Sequence, residues 1–270
     1  MSSPALPRHA WWLMLRAGLA GERPAGTPLP TETATWHAAP IDAGTVAGFR
    51  RHLGYGPDTT MPLCLHYLAL QRAQLEWMLR PAFPFRLLGM VHMAQSLTAL
   101  APWEATAPFT VRLSAALEGK RNVRLDAELH QHGVPVLRAC SLYRPPRDPG
   151  ARPLRDRAPE PEPDTPPQAR WDLPAHAGRA YAWLSGDANP IHLWPWSAQR
   201  FGLPRPIIHG MHTMARCEAE LARARGQALT HLDLQFLRPL ALPGWAALHG
   251  EAAAFEVFGP AGRCATGSAR

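Results

Sequence analysis

Asp187 and His192 stand five residues apart in the run Ser185-Gly-Asp-Ala-Asn-Pro-Ile-His192. An acid and an imidazole aimed at one small volume can hold a water molecule and move its protons, the general acid–base task. Gly186 and Pro190 exclude regular helix or strand there, so the pair sits on a loop. Asn189 can satisfy backbone groups within that turn, and Ser185 can brace it. Downstream, the run Pro206-Ile-Ile-His-Gly-Met-His-Thr-Met214 puts His209 and Gly210 at the start of a helix. Without a side chain, Gly210 lets a substrate approach the backbone, and its free N–H at a helix N-terminus is a natural oxyanion donor.

Other chemistries fit these residues less well. Ser185, Asp187 and His192 have the types of a nucleophilic triad, but no Gly-x-Ser-x-Gly elbow surrounds the serine, and three members so close in sequence cannot line up. His192, His209 and His212 lack a recognised ligand spacing such as His-Glu-x-x-His, so no metal is expected. The methionines at 211 and 214 read as helix core, and Trp194 and Trp196 as loop packing or a border for a thiol arm.

The elements that must position this loop fall into two halves. Between Arg144 and Pro167, nine of 24 residues are proline and most of the others are charged, which reads as an extended linker at 144–167. It separates a unit at 1–143 from one at 168–270. In the first, helix-like segments near 42–53, 63–79 and 83–97 precede strand-like runs at Phe109–Leu117, Asn122–His130 and Val134–Tyr143. In the second, a helix leads into Tyr181–Asp187, another follows His209, and three strand-like runs close the chain. "LLGMVHMA" echoes "IIHGMHTMA". The pattern predicts a duplicated α+β unit, each with a helix wrapped by an antiparallel sheet.

At this point the sequence resembles a known family. Tyr181–His192, followed by Phe201–Met211, is similar to the hydratase motif of the MaoC-like, (R)-specific enoyl-CoA hydratases, in which an Asp and a His separated by four residues precede an apolar pair and His-Gly. The first half resembles the degenerate N-terminal unit of two-domain members. The resemblance implies a double hotdog fold, with a degenerate unit at 1–143 and the catalytic unit at 168–270. It also implies that Asp187 and His192 activate water, that Gly210 polarises a thioester carbonyl, and that Ser185, Asn189, Pro190, His209 and Met211 border the substrate. The implied reaction is reversible hydration of a trans-2-enoyl thioester of coenzyme A or acyl carrier protein to the (R)-3-hydroxyacyl thioester, without a cofactor. Two positions depart from the family: Trp194 stands where many members carry Asp, and Glu218 where some carry Ser, leaving a carboxylate on an apolar helix face without an evident partner. In the first half Asp58 and His66 are eight apart, so one catalytic site per chain is expected, the first unit instead offering a groove for the acyl tail.

A hotdog thioesterase would share the fold and substrate class, and a non-catalytic binder of acyl thioesters or nucleic acid would use the net charge of +7. The arginines form no basic stripe interleaved with aromatics, which argues against nucleic acid. Four widely spaced cysteines without a Cys-x-x-Cys pair point to a reducing compartment. The apolar run at 10–21 is interrupted by Arg16 and reads as a short helix packed on the protein rather than a leader. No run approaches the ~20 apolar residues of a membrane span. The expectation is a cytoplasmic protein, with a homodimer left open.

Overall fold

A computed structural model describes residues 3–7, 10–19, 28–56, 61–119, 121–145 and 160–270. In the first half these form α1 (Trp11–Leu19), β1 (Ala34–Ala38), α2 (Ala43–Leu53), a 3-10 turn (Leu63–His66) running into α3 (Tyr67–Met78), β2 (Val91–Ala99), β3 (Phe109–Glu118), β4 (Asn122–Gln131) and β5 (Val134–Arg144). The second half repeats the plan with β6 (Ala169–Leu173), α4 (Ala177–Ser185), a 3-10 turn (Pro190–His192), α5 (Pro195–Gln199), α6 (Gly210–Arg225), β7 (His231–Phe236), β8 (Gly244–Glu251), β9 (Ala254–Gly259) and β10 (Gly262–Ala269).

All ten strands join one sheet in the order β1-β3-β4-β5-β2-β7-β10-β9-β8-β6. Each unit contributes five strands in the same internal order, and the two sheets meet where β2 pairs antiparallel with β7, Ser96 opposite Asp233 and Leu97 opposite Leu232. The halves are therefore related by a pseudo-two-fold axis near that pair. The helices α3 and α6 lie against one face of the sheet. Leu68, Ala69, Leu70 and Trp77 of α3 and Met214, Ala215 and Cys217 of α6 are wholly buried there, packed on inward residues such as Val111, Leu113, Leu125, Leu129, Leu232 and Leu248. The outward face of the first unit's strands is polar, with Arg112, Asp126, Glu128 and Arg138 around a shallow 500 Å³ hollow.

Several elements differ from the sequence expectation. The segment 83–97 is not helical: its second part is β2, a central strand hydrogen-bonded on both edges. Pairing on two sides overrides the helix preference of its Met, Ala and Gln residues, and a register shift between His92 and Ala94 blurs the alternation that would have marked a strand. "LLGMVHMA" is thus no counterpart of "IIHGMHTMA", which is α6; the counterpart of α6 is α3 with its leading turn. The last but one strand-like run, Trp245–Gly259, is two strands, reversing at Ala252 and Ala253 with Gly250 at φ 92° and no Asn or Pro to announce the turn. The edge strands β1 and β6, five residues each, carried no readable signal.

Most of the proline-rich linker lies outside the described residues. Its last part lies on the second unit, where Glu160 pairs with Arg263 at 2.6 Å and Glu162 accepts from His249 at 3.0 Å and from Arg170. The helix α1 packs as expected, Leu13, Met14 and Ala17 inward, with Arg16 bonded to Glu76 of α3 at 2.8 Å. All four cysteines are free thiols. Among the described residues, no helix is long and apolar enough to cross a membrane.

Candidate functional site

The site begins where α4 stops. Gly186 adopts φ 79°, a left-handed cap that costs a glycine little, and its N–H bonds the carbonyl of Ala182. Ser185 Oγ donates to the Tyr181 carbonyl at 2.8 Å and accepts from Asp187 N–H at 3.2 Å. Asp187 Oδ1 accepts from Asn189 N–H at 3.1 Å, and Asn189 Oδ1 from Ile191 N–H at 3.4 Å. Pro190 then opens the 3-10 turn that ends on His192. Ser185, Asn189 and Pro190 are committed to shaping this loop.

Beyond His192 the loop is held by residues the sequence did not single out. Ser197 Oγ donates to the carbonyl of Pro190 at 2.6 Å and accepts from Trp194 N–H at 3.2 Å. Arg179 donates to the Leu193 carbonyl at 2.8 Å. With these anchors Trp194 needs no carboxylate, and its ring stacks on Trp196 at 6.0 Å. Gly178 is equally constrained, since a Cβ there would lie 2.1 Å from the His192 carbonyl oxygen. Such supports are invisible in sequence because their partners are backbone atoms.

The two imidazoles have defined tautomers. His192 Nδ1 lies 2.8 Å from the Ile207 carbonyl, so it carries the proton and Nε2 keeps its lone pair. His209, at the N-cap of α6, donates from Nε2 to the Asp187 carbonyl at 3.0 Å, and its buried Nδ1 has no partner. The rings stack 3.6 Å apart. One ligating atom from each of Asp187, His192 and His209 lies within 4.8 Å of the others. That is room for one water molecule, or for a divalent ion. Burial, reinforced by the neighbouring His209, pushes His192 down to about 3, and burial pushes His209 down to about 4. Both rings are therefore neutral near pH 7 and able to accept a proton.

Gly210 opens α6 one residue after His209. A Cβ there would meet the Phe236 ring at 2.9 Å, so that ring closes over the helix start. From Phe236 a wall of rings runs into the first unit, His92 5.1 Å away and Tyr143 4.5 Å beyond it. Met211 is buried beside Gly210. Asp187, His192, His209, Gly210 and Met211 thus come together as the sequence suggested.

The first unit differs at the corresponding place. The residue after its helix-ending glycine, Gly54 at φ 77°, is Tyr55. Asp58 lies outside the described residues. His66 is a core residue, its ring tilted against that of Trp103 at 3.6 Å, with Nδ1 donating to the Leu63 carbonyl. Nor is Glu218 without a partner: it accepts from Tyr55 Oη at 2.7 Å, Leu63 N–H at 2.6 Å and Cys64 N–H at 2.9 Å. The first unit's inner surface is also more polar than an acyl groove would need. Tyr143 donates to Gln74, Gln74 to Ser141 and Ser141 to Gln95 in one buried chain.

Residues 156–244 match the family model of the MaoC like domain. Over 250 residues the chain is 29% identical to 3-hydroxyacyl-thioester dehydratase X of Mycobacterium tuberculosis, covering 88% of this chain and 86% of that one. The crystal structure of HtdX from M. tuberculosis superimposes with a TM-score of 0.73 at 24% identity, covering 88% of this chain and 99% of that one. A further M. tuberculosis protein, described as having a double hotdog fold, matches at a TM-score of 0.58 and 12% identity over 93% of this chain and 96% of its own. The chain therefore has a double hotdog fold, and its second unit is similar to the MaoC like domain over residues 156–244.

Proposed function

We propose that the protein is a hydro-lyase that reversibly hydrates trans-2-enoyl thioesters to (R)-3-hydroxyacyl thioesters, with one site per chain in the second unit. The similarity to a 3-hydroxyacyl-thioester dehydratase supports the reaction class. The observation that carries the chemistry is the convergence of Asp187 and neutral His192 on one water-sized volume beside the N-terminus of α6. In this reading the carboxylate and His192 Nε2 hold a water molecule. Its oxygen attacks C3 of the enoyl group while a proton passes to His192. The π electrons move toward the thioester, whose oxygen meets Gly210 N–H, and C2 then takes a proton from the same pair. One water is added and nothing else is consumed; dehydration is the reverse. The acyl group is carried by coenzyme A or an acyl carrier protein, and the first unit holds no acid–base pair at the corresponding place among its described residues.

A chiral analysis of the product tests this directly. Crotonyl-CoA is expected to give the (R)-3-hydroxybutyryl thioester, and the (S) product or a racemate would contradict it. Metal-assisted hydration is the second reading, favoured by the three-donor grouping of Asp187, His192 and His209. Turnover unaffected by a strong chelator supports the water site, whereas turnover lost to chelation and restored by a divalent ion supports the metal.

A further inference from the structure

Glu218 marks a position that recurs across the pseudo-two-fold axis. The left-handed glycine caps Gly54 and Gly186 end α2 and α4, so Tyr55 corresponds to Asp187. Leu63 opens the turn into α3 and Gly210 opens α6, so Leu63 and Cys64 correspond to Gly210 and Met211. Eight residues on from Leu63 and from Gly210 stand Gln71 and Glu218. In the first unit's version of the site, the Glu218 carboxylate reaches across from the other unit and fills the helix start, taking both N–H groups and the tyrosine hydroxyl. An anion held there by two amides occupies the place of a thioester oxygen, so this copy of the site is closed by the protein's own carboxylate.

The working copy has the same plan with a neutral amide. Gln71 is only 5% exposed, and its Oε1 meets no donor. A buried amide left without a partner is costly, which marks it as awaiting one. Gly210 N–H and Met211 N–H likewise find no acceptor among the described residues, because His209 does not cap the helix with its side chain. The face of α3 that bears Gln71 looks toward the site. Tyr67, one turn earlier on that face, feels the charge of Asp187, as does Tyr143, to which Tyr67 is bonded at 3.0 Å.

We propose that Gln71, supplied by the first unit, is a substrate-binding residue of the second unit's site, its amide donating to the thioester oxygen beside Gly210 N–H. This deepens the hydratase reading and rests on it. Rotation of the amide presents its NH2 group to that oxygen, which gains negative charge as water adds. A glutamine is suited to this place and a glutamate is not: a carboxylate would repel the developing charge.

The test uses full-length Gln71→Met and Gln71→Glu with crotonyl-CoA, measuring kcat and KM from about pH 6 to about pH 9. Native circular dichroism is the control for folding. Gln71→Met is expected to lose about 10²-fold in kcat/KM, chiefly in kcat, the usual size for one donor to such an oxygen. Gln71→Glu is expected to be nearly inactive at alkaline pH and to recover as pH falls. Burial raises the introduced carboxyl into the assay range, and once protonated it donates as the amide did. A merely structural glutamine would not move the pH profile. Wild-type kcat in folded Gln71→Met, or a Gln71→Glu profile superimposable on the wild type, would overturn the assignment. Failure of the wild type to hydrate crotonyl-CoA would instead remove the hydratase reading itself.

Discussion

Asp187→Asn is expected to lower hydration of crotonyl-CoA by about 10²–10⁴-fold, the usual contribution of a positioned acid–base group, with the fold intact. Its carboxylate accepts one local bond, from Asn189 N–H, and an asparagine oxygen can accept the same bond, so the loop should keep its shape. What is lost is a charged acceptor for water. His192→Ala is expected to lose a similar amount, since it removes the lone pair that the Ile207 carbonyl keeps available at Nε2. The double variant should be little worse than either single one, because two groups holding one water fail together. Initial rates with purified variants measure this. Additive losses would indicate two independent roles, and near wild-type rates would remove both residues from the chemistry.

The second large effect is on stability in acid. His66, His92, His192, His209 and His212 are all held neutral by burial, at about 3 for His66 and His192, about 4 for His92 and His209, and well below the ordinary value for His212. Their unfolded value is near 6.5, so between that pH and about 4 the unfolded chain binds more protons than the folded one. Stability is therefore complete above pH 6.5 and falls as the pH drops through this window, by up to about 1.4 kcal/mol per pH unit for each group. Glu218, raised by burial, acts with the opposite sign, but it is one group against five. Domain stability is only about 5–15 kcal/mol, so unfolding is expected near pH 5, before most carboxylates titrate. A circular dichroism titration checks this, and a native spectrum persisting to pH 4 would contradict it.

Much of the site was readable because its signals are local. Gly186 and Pro190 break the chain around Asp187, and His209-Gly210 marks a helix start, all within about 25 residues of sequence. The duplication was also readable, though with three strands per unit instead of five. What escaped depends on partners far along the chain. Glu218 looks unpaired until α6 is placed beside the turn at Leu63, and β2 reads as helix until β5 and β7 flank it. Spacing alone points to Asp58 and His66 as the first unit's counterparts of Asp187 and His192, whereas the register of the caps puts Tyr55 opposite Asp187. Gln71 had no sequence signal at all, since a glutamine on an apolar helix acquires meaning only through the symmetry that aligns it with Glu218.

At this site, hydration of an enoyl thioester is expected without cleavage of the thioester. The most direct measurement follows both bonds at once: full-length protein is incubated with crotonyl-CoA while the conjugated enoyl absorbance and free thiol are recorded together. The enoyl absorbance is expected to fall to an equilibrium value with no thiol released. Thiol release matching substrate loss, or an unchanged enoyl signal, would contradict it.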